Sequence, residues 1–299
     1  MAKYSDIKGF TVQTLSSDTA TSAVAGGTWA SATATNTARA SGMGAGSQDN
    51  AIAGMSGTTT NTEIYNGSSW TEVNNSNTQR GAQFCGGTYT AAIGAGGYTT
   101  ANIGNTESWD GTSWTEVNDL NTARRDGSGG NGTATALVCA GGTAGSDTAA
   151  CESWNGSSWT EVADQNAALY ERNGTGTSTN GILAGGNGNA SNTETWNGSA
   201  WTETTELNLG RGYGAFSGTA DLSIFAGGES SPPSFKTNNE FWNGTTWTEV
   251  NDISTARARG GGNGSMTGGI LAGGDASPGV VATTEEFTVS LANKTITAS

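Results

Sequence analysis

Two series of glutamates and one of arginines are the residues here whose types and spacing could support chemistry. Glu72, Glu116, Glu161, Glu203 and Glu249 each lie two residues after a tryptophan. Glu63, Glu107, Glu152, Glu194, Glu240 and Glu285 each lie shortly before an aromatic residue. Paired carboxylates could serve acid–base chemistry or hold calcium. Both series recur with the period of the chain, however, and rotational symmetry carries equivalent residues apart. A catalytic site breaks that symmetry. Arg39, Arg80, Arg124, Arg211 and Arg257 each sit ten residues after a tryptophan, and Arg172 departs at thirteen. The expectation is that these arginines pair with the glutamates between strands or between repeats.

The sequence has no histidine, which removes both the usual general base and the usual metal ligand. No Ser-His-Asp, Cys-His or metal-spaced cluster exists, so no catalytic, cofactor-binding or metal residue is expected and no cofactor is called for. Cys85, Cys139 and Cys151 are odd in number and give no disulfide framework. Cys139 and Cys151 fall on strands expected to pair, where they could face each other or be small buried thiols.

The elements that position these residues follow from the repeat. Trp29, Trp70, Trp114, Trp159, Trp201 and Trp247 are spaced by 41, 44, 45, 42 and 46 residues, the length of a four-stranded propeller blade. After each tryptophan comes Thr-Glu-Val or a variant, then the arginine, then a Gly- and Ala-rich segment. An apolar run ending in Gly-Gly follows, as in Ile182-Leu183-Ala184-Gly185-Gly186. A variable loop, the second glutamate, an aromatic and an Asn-Gly or Asp-Gly step complete the unit. Asn66-Gly67, Asp110-Gly111, Asn155-Gly156, Asn197-Gly198 and Asn243-Gly244 read as type I′ turns, with the flanking aromatics packed across the strands. The Gly-Gly pairs read as sharp bends near a crowded propeller axis. A phosphate cradle would need a helix to follow them, and no helical period is present.

The sixth copy, at Phe287, lacks its turn and final strand, while Gly27-Thr28-Trp29-Ala30 is an orphan strand at the other end. The expected fold is therefore all-β: a six-bladed propeller of four antiparallel strands per blade, its ring closed by the N-terminal strand. The domain reading is an extension over 1–25, the propeller over 26–290 and a tail over 291–299. Phe10-Thr11-Val12-Gln13 and Lys294-Thr295-Ile296-Thr297 alternate as strands do and could pair with each other or dock elsewhere.

Net charge is −14, which disfavours nucleic acid and anionic membranes as partners. No run approaches a transmembrane helix, and no signal-peptide core stands at the start, so neither membrane insertion nor the usual secretory route is expected.

The order Gly-Gly, aromatic, Trp resembles the kelch repeat from about Trp29 to Phe287. Departures are Ala53-Gly54-Met55 in the first unit, where Ala-Gly-Gly is expected, and the varying aromatic. Kelch-type oxidases hold copper through histidine and tyrosine, which the missing histidines preclude. The sialidase Asp-box separates its Asp and Gly by one residue, whereas Asp110 and Gly111 are adjacent. The expectation is a protein that is not an enzyme. The wording Asn-Gly-Ser-Ser-Trp-Thr-Glu-Val also resembles kelch-type proteins of marine, including cyanobacterial, bacteriophages. That resemblance implies a structural virion protein on head or tail, bound to other virion proteins through its termini. The alternative is a module binding a host-surface glycan or receptor through its loops, such as Gly228 to Asn239 and Ala276 to Ala282. The candidate aromatics for such a site, outside the core motif, are Tyr98, Tyr170, Tyr213 and Phe235.

Overall fold

The computed structural model describes residues 11–12, 24–289 and 294–295. Six blades of four antiparallel strands each form a ring, as the tryptophan period predicts, and the inner strands of the third and fourth blades are joined by a parallel bridge. The inner strands are Met43–Gly46, Phe84–Thr88, Ser128–Thr133, Asn173–Thr177, Ala215–Gly218 and Gly261–Ser265. The second strands carry the apolar runs and are buried on both faces, as in Ser223–Ala226. The third and fourth strands carry the aromatic pair. In the last blade the fourth strand is Thr28–Ala32, with Trp29 opposite Phe287, so the N-terminal strand closes the ring.

Hydrophobic burial lies between blades rather than within them. Phe84 and Ile93 of the second blade pack with Leu137, Cys139 and Trp159 of the third. Ile182 of the fourth packs with Phe216, Phe225 and Trp247 of the fifth. The junction of the fifth and sixth blades is made the same way, from Ile224, Phe241 and Val250 against Phe287 and Val289, with Val24 beside them. The sixth meets the first through Ile270 and Ala272 against Ala51, Ala53, Tyr65 and Trp70. In each blade the paired aromatics stack across the ladder, with ring centroids 5.3 Å apart for Trp154–Trp159 and for Trp29–Phe287. The outer indoles also stitch neighbouring blades: Nε1–H of Trp114, Trp159 and Trp247 donates to the hydroxyls of Thr62, Thr106 and Thr193. Cys151 stands first in its strand, where those threonines stand in theirs.

Three local expectations change. The turns are four-residue loops and not type I′: only the glycine has positive φ (86° at Gly67), and the Asn66 side chain accepts from the N–H groups of Ser68 and Ser69. The Gly-Gly pairs do not face the axis. Gly96 and Gly97 press against the carbonyls of Arg124 and Gly81 in the crossovers between blades. In the first blade Met43 pairs with Gly54 as Phe84 pairs with Ala95, so Met55, at φ 45°, takes the place of Gly96. Finally, Cys139 lies opposite Glu152, and Cys151 opposite Ala140. Neighbours along a strand point to opposite faces, so the two thiols belong to different inter-blade cores and are free.

Six buried ion pairs join each crossover to the blade it enters. They are Arg39–Glu63, Arg80–Glu107, Arg124–Glu152, Arg172–Glu194, Arg211–Glu240 and Arg257–Glu285. The last five measure 2.5 to 2.9 Å. The other glutamate series is exposed and takes no part in them. Truncating one member leaves the other charged and dry, which costs about 3–5 kcal/mol. Glu107→Ala is therefore expected to lower the unfolding free energy in guanidinium titrations by about that much. Glu72→Ala, at an exposed position, should change it by less than about 0.5 kcal/mol.

Candidate functional site

The crossover that carries each arginine ends at the axis. Two residues after the usual arginine place, and twelve after each tryptophan, stand Ser41, Ala82, Asp126, Glu171, Tyr213 and Arg259. All six have left-handed backbone, with φ between 53° and 63°. Their peptide groups form a closed circle in which each N–H donates to the carbonyl of the preceding member. Ala82 donates to Ser41, Asp126 to Ala82, Glu171 to Asp126, Tyr213 to Glu171, Arg259 to Tyr213 and Ser41 to Arg259, at 2.7 to 3.0 Å. Left-handed geometry at a non-glycine residue costs about 1–3 kcal/mol. Here the cost is offset by a hydrogen bond at every step and by the packing of the blades behind it.

Inside this girdle lies a cavity of about 230 Å³ along the axis. Its walls are the inner strands, whose glycines keep it open. Gly44 leaves room for the Asn263 amide, which a side chain there would displace. The backbone of the ring is symmetric, but the girdle side chains are not. Ser41 and Ala82 are small. Across the axis, Tyr213 donates to Asp126 Oδ1 at 3.2 Å, and the Arg259 guanidinium lies 3.8 Å from the Tyr213 ring centroid. Arg259 also pairs with Glu229 at 2.6 Å and Asp275 at 3.4 Å, both supplied by the loops after the second strands. Arg125 bridges to Asp126 and lies over Tyr98. Glu171 is on the rim, its carboxylate over Gly212.

Burial and the neighbouring carboxylates set the protonation states. The Glu171 carboxyl is pushed up to about 7 by burial, with Asp126 and Glu229 adding and Arg259 opposing. Burial also raises Asp126, against the pull of Arg125. Tyr213 is raised by burial and by those same acids, so its hydroxyl remains a donor.

Arg172 explains the irregular spacing in its repeat. Leu169 occupies the tenth place after Trp159, and its carbonyl accepts from Gly142 as that of Arg124 does from Gly97. Three residues later, on the axial side of the girdle, Arg172 sends its guanidinium back to Glu194 at 2.6 Å. Among the six buried arginines it is the one that lines the cavity.

Of the four candidate aromatics, Tyr213 reaches the cavity. Tyr98, Tyr170 and Phe235 lie in segments around the same mouth. Phe235 pairs with Glu229 in a short hairpin, and Tyr170 adjoins Glu171. The twelve-residue offset was present in the sequence. What marks it is that six different residues stand at one fixed distance from the repeat tryptophan. The argument from symmetry holds for the two glutamate series and does not extend to this cluster. Among the described residues no group of three or more His, Cys, Asp or Glu side chains is placed to hold a metal ion. Nor is any of their helices long and apolar enough to cross a membrane.

No protein-family model matches the chain, and no curated protein sequence matches it. Among solved structures, "Structure of YjhT" is similar: a propeller with TM-score 0.72 at 15% identity, covering 86% of this chain and 97% of that one. At that identity the likeness shows the fold alone, and it neither assigns nor excludes an activity. The protein is thus a six-bladed β-propeller with an asymmetric polar mouth on its axis.

The raised Glu171 carboxyl binds a proton in the folded state over a range where the unfolded chain has released it. Its contribution to stability therefore falls as pH rises from about 4.5 to about 7. Glu171→Gln should be more stable relative to wild type at pH 8 than at pH 5, as read from melting temperatures in matched buffers. Equal differences at the two pH values would show that Glu171 titrates normally.

Proposed function

We propose that this chain is a non-enzymatic structural protein of a bacteriophage virion, a kelch-like propeller displayed on the head or tail. The observation that carries this is the division of labour between the two faces of the ring. In five blades the third and fourth strands are joined by the Asn-Gly or Asp-Gly loop. In the sixth, Thr288 ends the third strand and Thr28 begins the fourth, so the chain enters and leaves the ring on that same face. Beyond the ring Thr11–Val12 and Lys294–Thr295 pair with each other. The variable loops, the crossovers and the girdle occupy the opposite face, since strands alternate in direction within each blade. A propeller tethered by its terminal segments to other virion proteins would present that opposite face outward. The likeness of the repeat wording to phage proteins supports the same setting.

A second reading is favoured by the girdle. Six positions equivalent in backbone carry six different side chains, as a recognition surface on a rigid scaffold does. On this reading the outward face binds a host-surface glycan or receptor, and the two readings are compatible.

Deletion of residues 1–20, which spares the buried Val24, should leave the melting temperature within a few degrees of wild type while abolishing incorporation. Quantitative mass spectrometry of purified particles of the source phage checks this. Absence of the full-length chain from particles, or normal incorporation of the truncated one, would overturn the virion assignment.

A further inference from the structure

We infer that the four Asn-Gly hairpin loops, at Asn66, Asn155, Asn197 and Asn243, are sites of self-promoted deamidation, in which the chain's own backbone converts the amide to a carboxylate. The inference is independent of the setting proposed above.

Nine Asn-Gly steps occur in the sequence. As peptides all nine share one chemistry: the glycine nitrogen attacks the preceding side-chain amide, and no side chain hinders it. The structure separates them. Asn173-Gly174, Asn180-Gly181 and Asn263-Gly264 lie in paired strands. Ring closure has to swing the glycine nitrogen onto the side-chain carbon, and ladder pairing holds the backbone extended against that. The four hairpin steps lie in loops, where all four glycines are exposed. There the glycine N–H finds no acceptor among the described residues, so the attacking nitrogen has no bond to give up.

Each of these side chains reaches forward over its glycine. Asn66 Oδ1 accepts from the N–H groups of Ser68 and Ser69 at 3.0 and 2.9 Å and from the Ser68 hydroxyl at 2.9 Å. Asn155, Asn197 and Asn243 have the same three kinds of donor, the hydroxyls coming from Ser157, Ser199 and Thr245. A turn closed through Oδ1 bends the side chain over the peptide it spans, which brings Cγ towards the glycine nitrogen. Negative charge gathers on Oδ1 as that nitrogen adds, and donors already aimed at the oxygen stabilise it.

The step balances with hydroxide and water alone. Hydroxide takes the proton of Gly67 N–H, and the nitrogen's electron pair forms a bond to Asn66 Cγ. The Cγ–Nδ2 bond then breaks, and Nδ2 leaves as ammonia with a proton from water. Water opens the resulting cyclic imide at either carbonyl, leaving aspartate or isoaspartate. The fifth loop shows that a carboxylate is accommodated. Asp110 Oδ1 accepts from the N–H groups of Ser113 and Thr112 at 2.8 Å, and these donors hold its carboxyl below the usual carboxylate range. Conversion at all four sites adds four negative charges to the face from which the terminal segments leave.

The test incubates the native full-length protein in mildly alkaline buffer and follows each site by peptide mass spectrometry. Digestion in heavy-oxygen water marks any conversion that happens during digestion. The four loop asparagines should gain one dalton at least tenfold faster than Asn173, Asn180 and Asn263. They should also convert at least as fast as in the same protein unfolded in guanidinium, where the strand sites lose their protection. Ser68→Ala removes one donor from an exposed loop and should slow Asn66 several-fold while leaving Asn155 unchanged, its melting temperature confirming the fold. Equal rates at loop and strand sites in the native protein would overturn the inference. So would loop sites that convert only in the unfolded chain, since the hydrogen bonds would then protect the amide. An Asn66 rate unchanged by Ser68→Ala would overturn the part assigned to the donors.

Discussion

Each blade is fastened to the next by one buried arrangement: a glutamate on the third strand that gathers the incoming crossover around itself. Glu107 accepts from the Arg80 guanidinium, from the backbone N–H groups of Asn77 and Thr78, and from the Asn77 side chain. Arg80 in turn donates to the carbonyl of Gly94 on the second strand. Five bonds thus bind a segment with no secondary structure of its own to two strands of the blade it enters. A buried ion pair alone is weak evidence of stability, because desolvation consumes most of the Coulomb gain. What these junctions supply is position. Burial pulls the Arg80 pKa down, and the carboxylate of Glu107 opposes that pull. The glutamate also lies across the ladder from Glu116, so without the arginine two like charges would face each other.

The girdle follows from those junctions. Because the arginine fixes the crossover, the residue two places on is delivered to the axis in the same left-handed conformation in five blades, and with Glu171 of the fourth they close a hydrogen-bonded circle. Backbone symmetry there is independent of side-chain type, since the bonds involve only peptide groups. The six side chains are released from structural duty, and the two carboxylates, the tyrosine and the arginine on one side of the axis become compatible with the fold. The fourth blade tests the logic. Its arginine is displaced by three residues, yet Arg172 reaches the same glutamate and the girdle stays closed at Glu171. The guanidinium place is what the blade requires, and the route to it is negotiable.

Much of this architecture was legible in the amino-acid order. The tryptophan spacing specified the number of blades. The missing sixth turn and the orphan strand at Trp29 specified the closure, because an unpaired edge is unfavourable and one strand was left to cover it. The recurring arginines and glutamates were recognisable as partners by their shared period. Which glutamate series would pair was not decided by recurrence, since both have the same period. Packing buried Glu63 and left Glu72 in solvent. The Asn-Gly step announced a hairpin but not its form, because the Asn66 side chain, by taking two backbone N–H groups, stabilises a longer loop. The direction of the Gly-Gly pairs and the separation of Cys139 from Cys151 likewise depended on register, which a single sequence does not report. The mouth of the axis was the largest thing hidden. Its members are 41 to 46 residues apart in sequence and touch only because six blades complete one turn. Local periodicity determined the blade, and closure of the ring, a long-range constraint, brought six unlike residues into one site.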